Sequence, residues 1–154
     1  MHRRTRAFSL VELVIVVTIL GIIAAIAVPR MSRGAKGAAD SKIKADLAIM
    51  RSAINMYAAE HDGAFPTAAK FVEQMTTYTN LAGGDNATAA TTHPFGPYLE
   101  AIPTIRVGAQ AGNNGVAAAD AAGVAWIYTE ATGTIKANVA GTIKDGSGVA
   151  YADY

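Results

Sequence analysis

The side chains that could do chemistry in this chain are few and scattered. His2, His61 and His93 have no second ligand at metal-binding spacing. The sequence holds no HExxH, no GxxxxGK[ST] phosphate loop and no nucleophile elbow. Cysteine is absent, which removes thiolate nucleophiles, thiolate metal sites and disulfides together. An enzyme is not expected. His61 falls at the end of a helical pattern and reads as a surface or capping residue. Asn86–Thr88 matches a glycosylation acceptor, a three-letter pattern that loops contain by chance. The tail Lys144–Tyr154 offers Asp145, Ser147 and Asp153 with nearby carbonyls. That is an oxygen-rich loop for Ca²⁺ without the EF-hand spacing, and a plain Gly/Asp turn is the competing reading. One charge stands in an unexpected place: Glu12 lies inside an apolar run, where an ionised carboxylate near a bilayer centre costs at least ~2.5–3.5 kcal/mol.

The element that must position Glu12 is the run Phe8–Val28, in which that carboxylate is the sole charge. As a helix it is about 31 Å long, which matches a hydrocarbon core of ~30 Å. Arg3, Arg4 and Arg6 precede it, so the N-terminus is expected on the cytoplasmic side and the rest of the chain outside. A secretory signal peptide is the competing reading, with Ala25–Ala27 as its small-x-small site and a mature chain starting near Val28. That reading makes the protein an exported soluble binding module. The length of the apolar run and the glutamate near its start count against it. From Ser32 to Glu60, Ile43, Leu47, Met50, Ile54, Tyr57 and His61 recur at alternating four- and three-residue steps, one stripe of an amphipathic helix. Pro29 either ends the first helix or kinks it. The spacing predicts one long helix, apolar all round in its first half and amphipathic in its second. His61–Thr67 stops it, with Gly63 as the helix end.

Beyond the long helix the signals are those of a small α+β domain. Ala68–Thr79 predicts a short second helix with Phe71, Met75 and Tyr78 on one face. Asn80–Pro103 reads as loop, with Gly96–Pro103 as a structured crossing. Asn113–Gly115 is a turn signal. Gly123–Val139 predicts a hairpin around Ala131–Gly133, with Trp126 and Tyr128 on one strand face and Ile135, Ala137 and Val139 on one face of the other. Those aromatics are expected to pack on the helix rather than to form a ligand platform. Charge is uneven. Arg30, Arg33, Lys36, Lys42, Lys44 and Arg51 face only Asp40 and Asp46, whereas beyond residue 51 four basic residues meet nine acidic ones. A basic stem and an acidic head suit stem–head contacts or lipid headgroups, and no nucleic-acid partner is indicated.

Arg6–Pro29 closely resembles the N-terminus of class III signal-peptide proteins, the type IV pilins and the pseudopilins of type II secretion systems. The resemblance implies a leader of residues 1–7, a membrane-spanning and filament-core helix over 8–30, and a pilin-like globular domain over 31–154. It implies a cut between Ala7 and Phe8 by prepilin peptidase, with methylation of the new amine on Phe8. Ala7 departs from the glycine usual there. Glu12 falls where the family keeps a glutamate, and Gly21 and Pro29 also fall on family positions, bounding a segment weakened in its helical hydrogen bonding. Phe8 and Glu12 are thereby expected to set register between copies in a helical filament. The implied partners are other copies, an inner-membrane assembly platform, minor pilins or pseudopilins, and membrane lipid before assembly. The implied location is the bacterial inner membrane, single-pass, with the C-terminal domain periplasmic, followed by a periplasmic or surface filament. Ala64–Thr67 with its neighbour Gly63, together with the hairpin region, looks like the corresponding parts of pilin-like proteins. The absence of cysteine is similar to the major pseudopilins, which use calcium in the C-terminal region. On that ground Asp145 and Asp153 are the calcium candidates, faint ones, and no other metal or cofactor is expected.

Overall fold

The computed structural model describes residues 9–154 and divides into two compact units, Met1–Gly37 and Ala38–Tyr154. Ala7 and Phe8 lie outside the described residues. One α-helix, α1 (Leu10–Glu60, 51 residues), enters both units and runs unbroken through Gly21 and Pro29. Its first half is rich in Val and Ile, which have modest intrinsic helix propensity. In a bilayer that preference is overridden, because every backbone N–H and C=O must be satisfied within the segment. The helix ends where expected. Gly63, at φ 85°, donates its N–H to the Ala58 carbonyl at 2.8 Å, and Asp62 before it is also left-handed at φ 54°. Two consecutive left-handed residues cannot continue a helix.

The second unit is an α+β domain. A 3₁₀ turn (Ala68–Lys70) leads into the short helix α2 (Phe71–Thr76), where Phe71 and Met75 are buried. Tyr78 falls instead on strand β1 (Tyr78–Thr79), which pairs antiparallel with β2 (Asp85–Asn86). A three-stranded sheet follows in the order β3 (Gly115–Ala117), β4 (Val124–Thr129) and β5 (Thr134–Ala137). The predicted hairpin is β4–β5, antiparallel, with Trp126 opposite Ala137 and Tyr128 opposite Ile135. Its connection is a 3₁₀ turn (Glu130–Thr132) closed by Gly133 at φ 63°. Strand β3 was not predicted, and it pairs parallel to β4, so this sheet is mixed rather than wholly antiparallel. Gly115 permits that pairing. A Cβ there would stand 2.5 Å from the Gly123 carbonyl oxygen.

One hydrophobic cluster joins the α1 stripe Ile43, Leu47, Met50, Ile54 and Tyr57 to Phe71, Met75, Trp126, Tyr128 and Ile135. The period read from the sequence is thus the buried face of α1. The two large aromatics of β4 have their polar tips satisfied. The Trp126 indole N–H donates to the Pro103 carbonyl at 2.8 Å, and the Tyr128 hydroxyl to the Pro66 carbonyl at 2.9 Å. His61 is a correction. Of the two expectations, surface or capping, the first fails: His61 is buried, because the stripe carries it inward for one more turn, while its ring caps a carbonyl of the last turn. Its ring stacks on Tyr57 at 3.7 Å between centroids, and its Nδ1–H donates to the Tyr57 carbonyl at 2.8 Å. Tyr128→Phe should lower unfolding stability by about 1–2 kcal/mol, since the Pro66 carbonyl keeps its burial and loses its donor. Denaturant unfolding of the two proteins side by side checks this.

Candidate functional site

The first candidate is the N-terminal end of α1. Leu10–Val28 is the one helix among the described residues long and apolar enough to cross a membrane, with a mean hydropathy of 2.9 and no part of it buried. Its large side chains, from Leu10 at 80% exposure to Val28 at 64%, have no protein cover. Two polar side chains interrupt it, and both are tied to the helix itself. The Thr18 hydroxyl donates to the Val14 carbonyl at 2.7 Å. The Glu12 carboxylate accepts the Ser9 N–H at 3.1 Å. Ser9 immediately precedes the helix, so Ser9-Leu10-Val11-Glu12 has the spacing of a capping box, and the contact is its glutamate half. A carboxylate in the first turn also meets the positive end of the helix dipole. In the single chain Glu12 is therefore held by its own helix terminus. Gly21 and Pro29 both lie within α1, and a proline at position 29 can give no N–H to the Ala25 carbonyl.

The second candidate is the tail. Asp40 and Lys44, one turn apart on α1, hold it from one side. Asp40 accepts the Gly146 N–H at 2.9 Å on one oxygen and the Tyr151 hydroxyl on the other. Asp145, itself buried, accepts the N–H groups of Ser147 and Val149 on one oxygen, each at 2.8 Å. Its other oxygen takes the Lys44 ammonium at 3.2 Å and the Tyr154 hydroxyl. Lys44 also lies 4.7 Å from the Tyr154 ring centroid, within reach of a cation–π contact. Arg51 donates to the Ile135 carbonyl at 3.2 Å and to the Tyr154 carbonyl. The Tyr154 hydroxyl, the two loop N–H groups and Lys44 hold the Asp145 carboxyl well below the usual carboxylate range. Conversely, Tyr154 and then Asp145 raise Lys44, and burial followed by Asp40 pushes the Tyr151 hydroxyl up.

These residues do not fit a calcium ion. Calcium wants about six to eight free oxygen ligands, and both oxygens of Asp145 already carry donors, one of them an ammonium. Asp153 is exposed on the 3₁₀ turn Tyr151–Asp153. Among the described residues no three His, Asp or Glu side chains gather as a metal site. Sequence reading picked out Asp145 but missed Asp40, Lys44, Tyr151 and Tyr154, whose partners lie about a hundred positions away in the chain. The only local hint was the Asp40/Lys44 spacing of four.

Asp145 gives the clasp a definite pH dependence. Its folded value is depressed, so its contribution is complete above the unfolded value of ~3.9 and is lost as pH falls through the folded one. Asp145→Asn should be less stable at neutral pH and should lose the Asp145 part of the acid decline. Thermal midpoints of both proteins from about pH 7 to about pH 2 test the sign. Adding calcium or a chelator should leave the wild-type midpoint unchanged.

A family model, the prokaryotic N-terminal methylation motif, matches residues 2–28. The match covers the segment that holds Glu12 and supports the prepilin-type signal read there. Neither a curated protein nor a solved structure matches the chain.

Proposed function

We propose that this chain, a precursor bearing the prepilin signal of the type IV pilin-like family, is a structural subunit of a helical filament of the pilus or pseudopilus class. The observation that carries this reading is one coincidence. The methylation motif matched at residues 2–28 includes Leu10–Val28, a helical segment whose apolar surface is uncovered throughout. Such a surface needs lipid before assembly and other copies after it. The role is structural rather than catalytic. Prepilin peptidase, implied by the motif, cuts between Ala7 and Phe8 on the cytoplasmic side and methylates the new amine. The subunit then waits in the inner membrane, C-terminal domain outside, until an assembly platform and minor subunits take it up.

Glu12 supplies the register. Cleavage puts an ammonium on Phe8, four residues before the carboxylate. In a bundle of staggered helices, Glu12 of one copy can leave its own Ser9 N–H and take the ammonium of a neighbour. A buried ion pair adds little net stability, because desolvation offsets much of the attraction, but a lone buried partner costs about 3–5 kcal/mol. Wrong registers are therefore penalised more than the right one is rewarded. The alternative, a secretory signal cut after Ala27, places its scissile bond inside an unbroken helix.

Intact mass of the mature protein should show a start at Phe8 with a methylated amine. Retention of Met1–Ala7 or a start at Val28 refutes the processing. Glu12→Ala should abolish sheared filaments while membrane-fraction subunit stays at the wild-type level, and Glu12→Asp should lie between. Wild-type filament yield from Glu12→Ala refutes the register role.

A further inference from the structure

The turn signal Asn113–Gly115 marks the start of the parallel strand β3. Its two asparagines are held very differently. Asn113 is half-buried, its side-chain N–H donates to the Gln110 side-chain oxygen at 3.0 Å, and its carbonyl accepts the Ile105 N–H at 2.9 Å. Asn114 is exposed, and its side chain makes no hydrogen bond among the described residues. It is also the one asparagine followed by glycine. Of the others, Asn80, Asn86 and Asn138 have their amides bonded. Asn55 lies inside α1, where the next N–H belongs to the helix ladder.

Parallel pairing requires the glycine, since a Cβ at 115 would crowd the Gly123 carbonyl oxygen at 2.5 Å. The same missing Cβ leaves the Gly115 nitrogen open to the Asn114 side chain. That nitrogen is loosely held. Its N–H reaches the Gly123 carbonyl at 3.2 Å, the long end of the range for such bonds. It stands at the end of a three-residue edge strand whose register shifts between Gly115 and Val116. Local opening costs least at such places.

We infer that Asn114 is a site of spontaneous deamidation, and that its conversion loosens the β3 edge of the sheet. When the strand end opens, hydroxide takes the Gly115 amide proton and the nitrogen attacks the Asn114 side-chain carbonyl carbon. The new C–N bond closes a succinimide ring. The bond to Nδ2 breaks, and that nitrogen takes a proton from water and leaves as ammonia. Water then opens the ring at either carbonyl, giving aspartate or isoaspartate. Both products carry a new carboxylate, and isoaspartate also places the side-chain methylene in the backbone. Either change is adverse here. Asn114 and Glu100 line one pocket of about 270 Å³, so the new charge joins a like one. An extra backbone atom just before Gly115 displaces the strand from its partners in β4. The site is independent of the filament reading, since a subunit that never assembles carries it equally.

The test uses the full-length protein in detergent, held in mildly alkaline buffer and sampled over days. Peptide mass spectrometry should find amide-to-acid conversion at Asn114 before any other asparagine. An isoaspartate-specific carboxyl methyltransferase should label the product. Conversion should speed up with hydroxide concentration and be lost in Asn114→Gln. Amide hydrogen exchange at residues 115–117 should be faster in the aged protein than in the fresh one. Asn114→Asp, which adds the charge without the methylene, should show part of that loosening, and Glu100→Gln beside it should reverse that part. Asn114 that stays intact in the folded protein, while it converts in urea or while another asparagine converts first, overturns the site. Conversion with unchanged exchange at residues 115–117 overturns the loosening.

Discussion

Leu10–Val28 presents large apolar side chains in every direction, and no part of the described chain covers them. At roughly 25 cal/mol per Å² of apolar area, a helix this long cannot remain in water as a single chain. Two environments satisfy it: a bilayer, whose thickness it matches, and a bundle of identical helices. Everything else in the molecule is compatible with moving between the two. The charge near its start is capped by the helix itself, and the hydroxyl within it is bonded to the helix backbone. The segment therefore asks nothing of its surroundings except that they be apolar and, at one end, able to accept a carboxylate.

The globular unit solves a different problem. It has no cysteine to close its tail, and its strands are short. The sheet nevertheless completes a core, because α1 supplies one long rigid wall and the aromatics of β4 fill the space above it. The tail is then fastened back to the same helix by Asp40, Lys44 and Arg51. Each of these lies on α1, so the tail cannot be released without exposing carboxylates that its own N–H and hydroxyl groups now satisfy. An ammonium stands where an oxygen-rich loop would otherwise call for a cation.

One helix thus serves three kinds of surface. Its first half is apolar all round. Its second half has a buried stripe ending at His61. Beside that stripe run the polar positions that hold the tail. The Glu12 carboxylate likewise finds its partner within the helix, the Ser9 N–H.

Periodicity and local chemistry settled much of this in advance. The apolar run, the carboxylate near its start, the stripe from Ile43 to Tyr57, the stop at Gly63 and the β4–β5 hairpin are all local patterns. Each is governed by interactions within a turn or two of helix or across a tight turn, and so is written in consecutive residues. The pairing of strand β3, the packing of His61 on Phe95 and Tyr98 and the clasp of Asp145 on Lys44 are not of that kind. They depend on contacts beyond a turn or two of chain, and only the folded core brings those positions together.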